Sequence, residues 1–179
     1  MAESLPSTVW GYRGLYVLIA AMLLFLRLLP LGSEAGSWPG PNLLLAMTFA
    51  WVLRRPDYVP ALLIAVVILL EDMLTMRPPG LWAAIVVVAA EFLRGRANLT
   101  REVSFIIEWL IVGVVMAASV LAYRLFLSLV MLPQVSLGQS LIQLVLTILS
   151  YPVVVAVSRL ALGVRKPATG EVDAYGRRL

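Results

Sequence analysis

Apolar segments fill most of this 179-residue chain, and the basic residues between them are sorted into alternate gaps. Residues 1–13 carry Arg13. The gap Gly32–Pro41 carries no Lys or Arg. The gap around Arg54–Tyr58 has two arginines, and Arg77–Gly80 has one. The gap Arg94–Ser104 has three, Leu132–Ser136 has none, and the tail after Leu162 has four basic residues. Cytoplasmic loops retain Lys and Arg, so this alternation is the positive-inside rule applied to six crossings. It predicts an all-α integral membrane protein, a six-transmembrane-helix bundle with both termini in the cytoplasm. Residues 1–164 would form one transmembrane domain, and residues 165–179 a loose cytoplasmic tail.

Composition supports a membrane chain. Mean hydropathy is +0.95, and 61% of residues are hydrophobic, against about 45–50% in soluble domains. The net charge of +4 does not suggest nucleic acid, because the basic residues sit at segment ends and form no stripe interleaved with aromatics. Cysteine and histidine are absent. That excludes disulfides, zinc sites of Cys/His type, haem ligation by His and any Ser-His-Asp device.

The predicted segments are Gly14–Leu31, Pro41–Leu53, Val59–Thr75, Pro79–Leu93, Val103–Met131 and Leu137–Leu162. The first is too long for the apolar region of a signal peptide and reads as an uncleaved helix. The last two clear the roughly 20 residues that span a bilayer, whereas the second to fourth are short. A re-entrant pair in place of two spans is the alternative, and the Arg54-Arg55 gap opposes it. Trp10, Tyr12, Trp38, Trp51, Tyr58, Trp82 and Trp109 lie near segment ends, as an aromatic belt does. Pro41, Pro60 and Pro79 suit a first helical turn, where the missing N–H has no helical partner. Pro152 lies inside the sixth segment and is expected to kink it or thin its hydrogen bonding.

Ionisable groups within apolar spans are costly, and are usually paired or functional. The topology sorts them by depth. Arg27, Glu71, Asp72, Arg77 and Arg124 fall in the outer layer. Glu91, Glu108 and Arg159 fall in the inner layer, near Arg54, Arg55, Arg94, Arg96 and Arg101. Each layer holds both signs, so the plain expectation is pairing of acids with arginines. The sharper one is that Glu71 and Asp72, with Arg27 or Arg124, form a partner or ligand site. Asp57 and Asp72 lie at opposite ends of one segment, too far apart for a shared-proton protease dyad. In the sixth segment Ser136, Gln139, Ser140, Gln143, Thr147 and Ser150 share one face. They suit interhelical hydrogen bonds or, alternatively, a polar cavity wall. Gly113 and Ala117 permit close helix approach.

The stretches Arg54-Arg55-Pro56-Asp57-Tyr58-Val59-Pro60, Glu71-Asp72-Met73-Leu74 and Arg77-Pro78-Pro79-Gly80-Leu81-Trp82 resemble the rod-shape-determining membrane protein family MreD. In that family an Arg-Pro follows the second span, an acid lies near the outer end of the third, and a proline-glycine turn opens the fourth. The matching positions are Arg55, Pro56, Pro60, Asp72, Pro79, Gly80 and Leu81. The layout agrees over the whole chain, the motifs over residues 51–96. The family often has a glycine shortly before the acid, where this chain has Leu69, Leu70 and Glu71.

The resemblance implies a non-enzymatic component of the bacterial cell-elongation machinery in the inner membrane. Expected partners are an MreC-like bitopic protein, a RodA-type glycosyltransferase, a class B penicillin-binding transpeptidase, MreB-like filaments on the cytoplasmic side, and the lipid bilayer. It implies no cofactor. It also implies a fold like that of the substrate-binding subunits of energy-coupling-factor transporters. The expected mechanism docks a partner's single span against an apolar groove. The loop Arg54–Tyr58 is the favoured specific contact, and the inner loops with Arg94, Arg96 and Arg101 lie against lipid or a cytoplasmic partner. The competing class is a vitamin-binding transporter subunit, which needs an outward cavity with convergent polar groups.

Overall fold

The computed structural model describes residues 5–29, 39–97 and 104–164. These form six helices: α1 (Leu5–Leu28), α2 (Leu43–Arg54), α3 (Ala61–Leu74), α4 (Leu81–Arg96), α5 (Phe105–Leu129) and α6 (Leu137–Leu160). A short 3-10 turn, Pro56–Tyr58, joins α2 to α3. Three helices, Thr8–Leu28, α5 and α6, are long and apolar enough to cross a membrane. The predicted tail 165–179, Trp38 and Arg101 lie outside the described residues.

Helix α2 is apolar around its whole circumference. Such a helix has no face to give to the surroundings and must be enclosed. Every residue from Leu44 to Arg54 is buried, and α1, α4 and α6 pack around it. Helix α3 packs on α4 and α1, and α5 on α4 and α6. Trp51, Phe49, Tyr16, Ile68, Met116 and Tyr151 are among the side chains of the common core.

The middle helices are short. With 12, 14 and 16 residues, α2, α3 and α4 are about 18, 21 and 24 Å long. With 25 and 24 residues, α5 and α6 reach about 38 and 36 Å. The long helices therefore overshoot the short ones.

Several predicted boundaries move. Helix α1 begins before Arg13, so Arg13 belongs to a helix and not to a terminal loop. Its guanidinium donates to the carbonyl of Asp57 at 3.2 and 3.3 Å. Helices α2 and α4 run on to Arg54 and Arg96, which absorbs basic residues assigned to loops. Pro41, Pro60 and Pro79 all precede their helices: Asn42, Pro60 and Gly80 are the N-caps. Asn42 caps α2 through its side chain, which accepts from Leu45 N at 3.1 Å. Trp51 and Trp82 are core residues at 0% and 4% exposure, not members of a belt.

Helix α6 continues through Pro152. A proline deprives the carbonyl four residues earlier of its helical donor, which here is Ile148. The indole N–H of Trp109 on α5 donates to that carbonyl at 2.8 Å. A neighbouring helix thus supplies the missing bond. Close to this point Gly113 faces Ile148, where an added Cβ would sit 3.6 Å away.

The Trp109–Pro152 relation predicts a coupling. Trp109→Phe should cost about 1–3 kcal/mol in the parent chain, because it leaves a part-buried carbonyl unpaired. In a Pro152→Ala background the helix itself satisfies Ile148, and the cost should fall by about 1 kcal/mol. Thermal melts of the four variants in detergent check this; equal costs in both backgrounds would remove the indole bond from the account.

Candidate functional site

Charged and polar groups gather at the two ends of the bundle. At the end where α2 finishes and α5 begins, Arg54 is 5% exposed. Its Nη2 meets Glu108 Oε1 at 2.9 Å. Tyr151 OH donates to the same carboxylate oxygen at 2.7 Å, and Arg54 Nη1 reaches Ala50 O and Tyr151 OH at 3.2 and 3.4 Å. The group ties α2, α5 and α6 together. One helical turn earlier, Trp51 Nε1 donates to Ser158 Oγ at 3.1 Å, because residues three apart share a helix face. Nearby, Arg94 Nη2 donates to Val59 O at 2.6 Å. Tyr58 stacks on Tyr12 with ring centroids 4.3 Å apart.

At the other end the adjacent acids of α3 diverge. Glu71 is fully buried and forms an ion pair with Arg27 of α1. Arg77 Nη1 approaches the same oxygen at 3.7 Å. Asp72 turns the other way. Its Oδ2 accepts from Gly80 N and Ala83 N, both at 3.1 Å. Gly80 opens α4 at φ +90 and has no side chain with which to cap it. Asp72 supplies the cap from the preceding helix, and its charge suits a helix N-terminus. The Pro-Pro-Gly-Leu turn and the acid of the third segment are therefore one local device.

Between these helix ends lies a half-open cavity of about 750 Å³. Its floor is the starts of the short helices, at Asn42, Leu45 and Trp82. Its walls are the overshooting turns of α5 and α6, with Tyr123, Arg124, Gln139 and Ser140. Arg124 Nη1 donates to Val135 O at 3.0 Å and to Ser140 Oγ at 2.8 Å. Gln134 Nε2 donates to Arg124 O and Ser128 Oγ at 3.2 and 2.9 Å. Arg77 sits over the Trp82 ring at 5.7 Å, and Tyr123 packs edge-on to that ring. The polar face of α6 forms part of the wall and ties to the segment that enters α2. Gln143 and Thr147 line the cavity, and they also bond Gly40 O and Asn42 N.

The rim carries unusual backbone. Helices α3 and α5 both end with a methionine in the left-handed region, Met76 at φ 55 and Met131 at φ 54. In each case the next N–H reaches back across the helix end: Arg77 N to Asp72 O and Leu132 N to Leu127 O, both at 3.0 Å. This is the Schellman closure, which glycine usually serves because a Cβ is penalised there.

The sequence-predicted residues separate into distinct groups. Arg27 and Glu71 meet, as do Arg54 and Glu108. Of the two arginines expected beside Glu71 and Asp72, Arg27 is the one that meets Glu71; Arg124 faces the cavity, held by α6 and the preceding loop. Arg54 is not a loop residue, because it ends α2 as a buried ion-pair partner. Arg55, Pro56, Asp57 and Pro60 are half-buried around the 3-10 turn. Glu91 pairs with Arg94 on its own helix, at 3.1 Å. Arg159 is exposed in the last turn of α6. Pro79 and Leu81 flank the Gly80 turn. The sequence reading did not single out Trp82, Tyr123 or Gln134 for the cavity; the polar face of α6 was the signal pointing toward a wall there.

No protein-family model, curated protein or solved structure matches the chain. Among the described residues, no three His, Cys, Asp or Glu side chains are placed to hold a metal ion.

Removing one partner of a buried pair strands the other charge, at a cost of about 3–5 kcal/mol. Arg54→Met and Glu108→Leu should each destabilise the detergent-solubilised protein on that scale. The double variant should recover much of the loss. Additive losses in the double variant would show that the pair does not act as a unit.

Proposed function

We propose that the chain is a non-enzymatic membrane component of the bacterial cell-elongation machinery, of the MreD kind, which docks partner membrane proteins to guide peptidoglycan insertion. In this reading the protein lies in the inner membrane and crosses it six times with both termini cytoplasmic. It works with an MreC-like bitopic protein, a RodA-type glycosyltransferase and a class B penicillin-binding transpeptidase. MreB-like filaments lie on the cytoplasmic side.

The observation that carries the docking role is the outward face of α6. Leu141, Val145, Leu149, Val153 and Val157 recur every four residues, and all are exposed. The polar residues Ser140, Gln143, Thr147 and Ser158 of the same helix turn inward to hydrogen bonds. A continuous apolar stripe on a long helix suits lipid or the span of a partner. The wall-elongation context rests on the resemblance of residues 51–96. The turn Arg54–Tyr58 is a weaker docking candidate than its sequence suggests, since Arg54, Asp57 and Tyr58 are engaged with Glu108, Arg13 and Tyr12.

One observation favours a second reading. The half-open cavity is of a size that holds small molecules, as a vitamin-binding transporter subunit of the energy-coupling-factor type requires.

Affinity purification from native membranes separates the two. The elongation reading predicts recovery of a bitopic coiled-coil protein with wall-synthesis enzymes. Recovery of a transmembrane coupling subunit with ATPases would replace it by the transporter reading. Topology reporters should give cytoplasmic signals at Tyr58 and Asn98 and external signals at Pro39 and Pro78; an external signal at Asn98 would sink the six-crossing plan.

A further inference from the structure

The geometry points to the cavity at the end of the bundle as a binding site for an amphiphilic anion, a phosphate or carboxylate head on an apolar body. This goes beyond the elongation role and does not depend on it.

Charge sets the sign of the ligand. Two guanidiniums, Arg77 and Arg124, line the cavity, and no carboxylate does so among the described residues. Arg77 is drawn partly toward Glu71. Among the described residues the contacts of Arg124 are neutral, a carbonyl and a hydroxyl, and no carboxylate there offsets its charge. Those contacts also fix it: α6 holds the guanidinium and Gln134 holds its backbone. A guanidinium held in place loses less freedom on binding an oxyanion than a mobile lysine would.

A second feature lies at the floor of the same space. Trp82 is 4% exposed and lines the floor, yet its Nε1 has no hydrogen-bond partner among the described residues. A buried indole normally finds an acceptor, and an unmade bond of this kind costs about 1–3 kcal/mol. Most of the remaining lining surface is apolar or aromatic, with Leu45, Val120, Tyr123, Leu127 and Leu144, and the polar side chains Gln139, Gln143 and Thr147 lie along the α6 wall. An apolar surface beside polar groups suits a hydrocarbon or ring body that carries a polar head, and not a fully hydrated ion. The volume of about 750 Å³ lies within the range of ligand sites, about 300–1,000 Å³.

Such an anion has two sources, a membrane lipid headgroup or a soluble aromatic or aliphatic acid. Calorimetric titration of the purified full chain in neutral detergent distinguishes them. The probes are dihexanoyl phosphatidic acid, dihexanoyl phosphatidylcholine, naphthoate and inorganic phosphate. The proposal predicts saturable binding of phosphatidic acid or naphthoate and much weaker binding of phosphatidylcholine and of phosphate alone. Tighter phosphatidic acid assigns a lipid source, and tighter naphthoate a soluble one. Arg124→Gln should weaken the preferred probe about tenfold or more, and Arg124→Lys less. Val120→Phe, which fills the cavity and leaves every charge in place, should weaken it as well and covers the case in which Arg124→Gln does not fold. Phosphatidylcholine binding as tightly as phosphatidic acid, no binding by either anionic amphiphile, or unchanged affinity in both Arg124→Gln and Val120→Phe would overturn the proposal.

Discussion

Helix α2 has no outward face, and the rest of the bundle is arranged around that constraint. A helix buried on every side must satisfy its polar groups inside the protein. Along its length α2 does so with α1, α5 and, repeatedly, α6. Asn42 N takes Thr147 of α6, Thr48 bonds Tyr16 of α1, Trp51 reaches Ser158, and Arg54 closes on Glu108 and Tyr151. These ties fix the rotation of α2 and set α1, α5 and α6 around it. Hydrophobic burial alone could not select one rotation for a helix that is apolar all round.

The second consequence follows from length. Because α2, α3 and α4 are short, α5 and α6 extend beyond them and leave a space over their ends. The floor of that space is built by the turn from α3 to α4. There Asp72 caps the next helix and Gly80 takes a conformation that favours glycine. At its edge the chain accepts methionine in the left-handed region twice. Backbone strain of that kind tends to collect where function is located, and here it coincides with two cavity-lining arginines and an indole N–H that has no acceptor among the described residues.

Much of the helical layout was legible. Apolar segments, prolines before helices and the polar face of α6 mark the elements to within about three residues, except that α1 begins at Leu5 and not at Gly14. The sorting of charges into two layers puts Arg27 at the same end as Glu71, and Arg54 at the same end as Glu108, without saying which acid meets which arginine. Other features were not readable from one chain. Nothing in the run Leu43–Arg54 distinguishes a terminal arginine in a loop from one folded back onto α5, because the partner Glu108 lies 54 positions away. The pairing of Trp109 with Ile148 depends on helix register, which periodicity does not give. Arg124 and the acids Glu71 and Asp72 share a depth but not an azimuth, and depth was all that hydropathy supplied. Trp51 and Trp82 mark segment ends in sequence and are buried in space because neighbouring helices overshoot them.

The functional account joins an inward-tied bundle with an outward apolar surface. Charges are used largely to hold helices together, and the long faces of α1, α5 and α6 remain for lipid or partner spans. That division fits a protein that organises other membrane proteins. The most direct test of the elongation role is depletion of the protein in its native cells, with cell shape and the pattern of new wall material followed by microscopy. The account predicts that rods round up and that incorporation along the sides is lost. Cells that keep their rod form and side-wall incorporation after complete depletion would contradict it.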